Sequence, residues 1–198
     1  MPAPATTLPL FPLRTVLFPG GRLQLRIFER RYLDLVRDCS RSGTVFGVCL
    51  IIDGEEVGSP AMPAPVGTSA RIVDFDQLPG GLLGITVEGE QRFHAEGVRV
   101  RDNGLVTATV QWLPEAPVQP VAPEHSLLVR LLETLFEHEG GPSDADQHMD
   151  DSDWVAYRLA ERLPLDNGER QALLQAGDAH DRLERILAWL SRASEAGG

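Results

Sequence analysis

Hydrophobic and polar positions alternate through much of the first half of the chain. Leu13 to Phe18 is a short apolar run that ends at Pro19-Gly20-Gly21, a turn signal. From Arg22 to Phe28, Leu23, Leu25 and Ile27 fall on one face and Arg22, Gln24 and Arg26 on the other. That is the period of a half-buried strand. Over Glu29 to Ser40 the period changes. Tyr32, Leu33, Leu35, Val36 and Cys39 fall at helical spacing, with Gly43 just beyond as a stop. Val45 to Ile52 is continuously apolar and suits a fully buried strand. Gly54 to Val66 carries Pro60, Pro63 and Pro65 and reads as a loop. Further strands are expected at Thr68–Phe75, Leu82–Glu88, Arg92–Arg101 and Leu105–Leu113. Asn103-Gly104 between the last two is a hairpin-turn signal. The first half therefore predicts a mostly antiparallel sheet, curled into a partly closed barrel.

Pro114, Pro117, Pro120 and Pro123 recur every third residue. That spacing matches polyproline II and predicts a stiff connector over 114–124. The remainder reads as four helices. Leu128, Leu131, Leu132, Leu135 and Phe136 form one apolar face ending at Gly140-Gly141. Val155, Leu159 and Leu163 form another, stopped by Pro164. Asp166 with Glu169 has capping-box spacing, with Gly177 expected to close that helix. Asp178 precedes a last helix that carries Leu183, Ile186, Leu187 and Leu190 on one side. Single-striped helices must pack on one another or on a sheet. The expected fold is α+β, with a β-rich lobe over 1–113 (one short helix, 29–40), the connector, and a helical lobe over 125–198.

Composition narrows the chemistry. All 18 basic residues are arginine and lysine is absent. A Walker A phosphate loop, a Ser-Lys dyad, a Schiff-base enzyme and a kinase site each need a lysine and are excluded. Cys39 and Cys49 belong to no CxxC or Cys/His cluster and read as small core residues. The net charge of −11 is uneven, −1 over residues 1–113 and −10 over residues 114–198. An acidic second half repels phosphate backbones, so nucleic acid is not an expected partner. No window approaches the roughly 18 apolar residues that span a bilayer. Residues 1–7 carry no basic n-region, so a cytoplasmic protein without a membrane partner is expected.

Pro9-Leu10-Phe11-Pro12-Leu13, followed by Val16-Leu17-Phe18-Pro19-Gly20, Leu25-Arg26-Ile27-Phe28-Glu29 and Arg31-Tyr32, resembles the opening of the Lon N-terminal (Lon substrate-binding) domain family. The resemblance continues through Gly47, Gly67-Thr68, Ala70, Gly89, Arg92 and Phe93 to Leu163-Pro164-Leu165 and Arg182-Leu183. It implies a PUA-like pseudo-barrel followed by a four-helix lobe. It also implies a stand-alone bacterial module, without ATPase or peptidase domains, that recognises unfolded or tagged polypeptides or partner proteins as an adaptor or chaperone-like protein. The family often has proline after the glutamate that opens the first helix; here the residue is Arg30.

Phe11, Phe18 and Phe28 have two readings, as the lining of a groove for extended apolar segments or as staples of the first strands into the core. The second is preferred because aromatic residues dominate cores. Arg92 pairs either with a peptide carboxylate or, by preference, with carbonyls or an acid of its own chain. Asp144, Asp146, Asp150, Asp151 and Asp153, with His138 and His148, lack the offsets of a calcium loop and read as a solvated loop. The five histidines show no HExxH and no other ligand spacing, so no metal or cofactor is expected. The expected function is a non-catalytic module that captures extended segments on an exposed sheet edge or between the lobes. The alternative is a small-molecule binder or enzyme with a pocket between the lobes. Oligomeric state is not legible.

Overall fold

The computed structural model describes residues 6–115, 117–140 and 148–196. They form two compact units, divided between residues 115 and 116. The first holds strands β1 (Thr6–Leu13) and β2 (Arg22–Ile27), helix α1 (Arg30–Ser42), then β3 (Phe46–Asp53), β4 (Met62–Leu78), β5 (Leu82–Val100) and β6 (Val106–Trp112). The second holds α2 (Ser126–His138), α3 (Ser152–Arg162), α4 (Asn167–Gln175) and α5 (Ala179–Ala196).

The strand order is β2-β5-β4-β3-β1-β6, and β5 also pairs with β6. That extra pairing closes β1, β3, β4, β5 and β6 into a ring and leaves β2 outside it. All pairings are antiparallel except β1 with β3. Three readings of the strands differ from the structure. β1 spans Thr6–Leu13, with Pro9 and Pro12 within it, so the apolar run read from Leu13 to Phe18 lies beyond the strand except for Leu13. β1 pairs with β6 over Thr6–Pro9 and with β3 over Leu10–Leu13. Each half thus has a ladder on one side, where a residue without an N–H is tolerated as on an edge strand. The same holds for Pro63, read as loop. It pairs with Ile51 at a register shift, so β4 starts at Met62. The strands expected at 82–88 and 92–101 are one strand, β5, bulged near Gly89. The turn after Phe18 lies on that bulge, with Gly20 N–H donating to Gly89 O and Gly89 N–H to Gly21 O, at 2.7 and 2.8 Å. A side chain at Gly89 would strike the Phe18 carbonyl.

α1 buries Tyr32, Leu35, Val36 and Cys39 against Phe11, Phe46, Val48, Ile85 and Val87 of the sheet. A second core, inside the ring, gathers Leu8, Leu10, Cys49, Phe93, Ala95, Val106, Ala108 and Val110. Phe93 fits there only because its neighbours are glycine. A Cβ at Gly47 would stand 2.6 Å from both Leu10 Cδ2 and Phe93 Cζ. One at Gly67 would press on the Val48 carbonyl and stand 2.6 Å from Cys49 Sγ. Both cysteines are free and buried, and burial pushes the Cys49 thiol up to about 12, so it stays a thiol and packs as an apolar group.

In the helical unit, Leu128, Leu132, Val155, Leu159, Leu174, Leu183 and Ile186 form the apolar interior. Local signals set the helix ends. Asp151 caps α3 by accepting from Asp153 N–H at 3.0 Å. Leu163 turns extended (ψ 148°) before Pro164 and ends α3. Asp166 and Glu169 form a reciprocal capping box on α4. Asp178 accepts from Asp181 N–H at the start of α5. The expected glycine stop at Gly177 is absent, because α4 ends at Ala176 in an extended conformation (ψ 140°). Its terminal carbonyls are taken instead by a side chain. Arg182, completely buried, donates to the carbonyls of Leu173 and Ala176, pairs with Asp153, and lies 4.9 Å from the centroid of the Tyr157 ring. The proline-rich segment is strapped into this unit, since Val121 N–H donates to Asp150 O and Ser152 N–H to Gln119 O.

Three substitutions test this packing. Gly67→Ala should lower unfolding stability by about 1–3 kcal/mol, the cost of overpacking a closed core. Gly177→Ala, with open space around it, should leave stability unchanged; urea unfolding reads both. Arg182→Met should cost about 3–5 kcal/mol, because it strips a buried ion pair and two helix-terminal carbonyls of their partner. A midpoint within error of the parent chain would refute that role.

Candidate functional site

β2 is the end strand of its sheet. It pairs with β5 over Arg22–Ile27 and has no other strand partner among the described residues. Its alternation turns Leu23, Leu25 and Ile27 toward the core and leaves Arg22, Gln24 and Arg26 exposed. An edge of this kind presents a row of backbone N–H and C=O groups to a further strand.

A concavity of about 330 Å³ adjoins Gln24, Leu25 and Arg26. Phe11 and Leu13 enter it from the end of β1, Phe28 and Glu29 from the β2–α1 junction, Tyr32 from the first turn of α1, and Glu56 and Val57 from the β3–β4 loop. Phe11 and Tyr32 stack at 3.9 Å between ring centroids. Phe28 and Val57 stand 52% and 55% exposed. Charged side chains hold the frame. Arg14 reaches Glu55 at 2.5 Å and also bonds Glu56 through its backbone N–H, fixing the loop beside β1. Arg31, buried, pairs with Glu29 at 3.0 Å and donates to the Gly104 carbonyl. Burial raises the Tyr32 hydroxyl above its usual value of 10, with Arg31 pulling the other way. It is therefore a neutral phenol at physiological pH.

A second concavity, of about 340 Å³, adjoins the same three residues of β2 and is lined by Asp74, Phe75, Asp76 and Leu78 of β4 and Gly84, Ile85 and Thr86 of β5. Phe75 is half exposed there. An extended chain laid along β2 would meet an apolar recess and a more polar one beside the same edge. A third recess, of about 260 Å³, lies in the helical unit between α4 and α5, around Leu173, Ile186 and Trp189.

Of the residues singled out from sequence, Phe11 and Phe28 come together at the first concavity, Phe11 buried in its wall and Phe28 open to solvent. Phe18 is 1% exposed and does not line it. Arg92 lies in β5 opposite Thr68, and its carbonyl accepts from Leu113 N–H at 2.9 Å. It does not reach the concavity. Tyr32, Leu25 and Val57 complete the site and were not singled out. Tyr32 and Leu25 are visible in sequence as members of apolar faces and of the opening motif, but without a site role, and Val57 carries no signal in a loop of Gly, Glu and Pro. Among the acids, Asp151 and Asp153 serve the helix cap and the Arg182 pair, whereas Asp144 and Asp146 lie outside the described residues. No helix among the described residues is long and apolar enough to cross a membrane.

A closed β-ring with an appended edge strand, followed by a small helical unit, defines an α+β binding domain with recesses beside one strand. The model of the ATP-dependent protease La (LON) substrate-binding domain matches residues 7–192, and the chain belongs to that family, a substrate-binding and non-catalytic one. A Lon protease of Flavobacterium johnsoniae is 24% identical over 93% of this chain, and one of Azorhizobium caulinodans 28% identical over 94%. The chain spans about a quarter of the length of these curated relatives, 24% and 23%. Among solved structures, a Lon N-terminal domain protein from Xanthomonas campestris is 48% identical, with a TM-score of 0.80 over 93% of this chain and 98% of that one. The N-terminal domain of Mycobacterium avium complex Lon protease shares the fold, with a TM-score of 0.69 at 20% identity over 94% and 98% of the two chains.

Proposed function

We propose that this chain captures extended polypeptide segments of unfolded or tagged proteins, acting as an adaptor or chaperone-like binding module. The segment adds as a strand to the free edge of β2 and places an apolar side chain against Phe28, Val57 and Tyr32. The observation that carries this reading is the coincidence of an unpaired edge with two recesses on Gln24–Arg26. Backbone hydrogen bonds to such an edge are indifferent to sequence, and flanking recesses select alternate side chains. The substrate-binding description of the family supports the same class of ligand. The net charge of −11, concentrated in the second half of the chain, disfavours nucleic acid. Phe11 contributes the wall behind the bound side chain; Phe18 and Arg92 support the fold without touching the segment.

Fluorescence anisotropy with a labelled, permanently unfolded polypeptide, beside its folded counterpart, tests this. Saturable binding of the unfolded form alone is expected. Phe28→Ser and Val57→Ser, both at exposed positions, should each weaken it by about tenfold, the effect of losing on the order of 1.5 kcal/mol of apolar burial. The absence of saturable binding at micromolar protein, or unchanged affinity in the double variant, would overturn the assignment.

A further inference from the structure

Three side chains able to ligate a metal meet in the helical unit. His125 ends the 3-10 turn Pro123–His125 that leads into α2, and its ring is completely buried. His180 and Glu184 stand four residues apart on α5, where one helical turn brings both side chains to the same face. His125 Nε2 lies 2.8 Å from Glu184 Oε1, and the His125 and His180 rings meet at 4.7 Å between centroids. One ligand atom from each of the three lies within 4.8 Å of the others.

We propose that His125, His180 and Glu184 form a binding site for a divalent first-row transition ion, with Zn²⁺ as the natural test. Two imidazole nitrogens and one carboxylate oxygen are a donor set that zinc takes, with a fourth position left to water. Donors around a tetrahedral zinc stand roughly 3.3 Å apart, given bonds of about 2.0 Å. The 2.8 Å His125–Glu184 pair must open slightly and any wider gap contract, and the members that can move are the exposed ones, His180 and Glu184. The buried imidazole is the fixed anchor. Its other nitrogen, Nδ1, is buried and has no hydrogen-bond partner. Loading Nε2 with metal places the ring proton on Nδ1, where nothing accepts it. A ligand histidine without that outer partner binds roughly 10- to 100-fold more weakly. The site is therefore of moderate affinity, and occupancy follows metal supply. A bound ion would tie the entry to α2 onto α5.

The test uses the full chain, free of any affinity tag and stripped by chelator, titrated with Zn²⁺ in a calorimeter and with Co²⁺ by visible absorption. About one ion per chain, a rise in melting temperature on loading, and cobalt d–d bands are expected, since three protein ligands define a single site. His180→Ala and Glu184→Gln should each weaken binding by about tenfold or more and lose the cobalt bands. Their metal-free melting should stay close to that of the parent chain, because both positions are exposed and Glu184→Gln keeps an oxygen facing His125 Nε2. Failure of the parent chain to bind Zn²⁺ saturably would overturn the site. So would undiminished binding in the double variant, which would place the ion elsewhere. The buried His125 is left intact so that loss of folding cannot imitate loss of binding.

Discussion

Phe93 is completely buried at the point where β5 runs from its pairing with β4 toward its pairing with β6. It fills the ring only because Gly47 on β3 and Gly67 on β4 bring no side chain against it. The closure has a consequence at the other end of the same strand. β5 has β4 along one side. Its other side is shared in succession by β2, over Leu83–Glu88, and by β6, over Phe93–Val100. Since β6 goes on to pair with β1, the ring is complete without β2. The second strand is left with one ladder satisfied and one edge open. The ring that closes around Phe93 thus leaves β2 as the strand with an open edge.

Much of this frame was legible where a single local rule governs. The alternation of Leu23, Leu25 and Ile27 marked β2, and the helical period of Tyr32, Leu35, Val36 and Cys39 marked α1. The Asp166–Glu169 capping box was readable from spacing because both of its hydrogen bonds are local. The misread elements are those settled by distant partners. Pro9, Pro12 and Pro63 look like strand breakers until it is known that each faces only one ladder. Gly177 looks like a helix stop, but the terminal carbonyls of α4 are capped by Arg182 from the next helix. The gap expected between the strands at 82–88 and 92–101 is a bulge in one strand, where Gly89 lets the Phe18–Gly21 turn rest on β5.

The candidate site was less legible for the same reason. Phe11 and Phe28 stood out as aromatic residues in a recognisable opening, but sequence cannot tell that one is buried and the other exposed. Val57 matters only because Arg14 and Glu29 hold its loop beside β1 and α1. The metal-ligating cluster shows the limit most sharply. His180 and Glu184 are one turn apart and could be found by spacing, but neither is a site without His125, more than fifty positions away and in a different element.

An open edge carries a hazard, since it can pair with the edge of another copy and seed aggregation. β2 answers this with its composition. Arg22, Gln24 and Arg26 occupy its exposed positions, and Arg22 is held by Glu88 at 2.8 Å across the pair with β5. Two copies meeting edge to edge in antiparallel register would bring these arginines close together, and like charges opposite one another destabilise a pair. A single extended segment with acidic or neutral side chains meets no such repulsion, and it gains the recess lined by Phe28 and Val57. In the capture mode proposed above, the residues that protect the edge from its own kind would also favour acidic or neutral segments over basic ones.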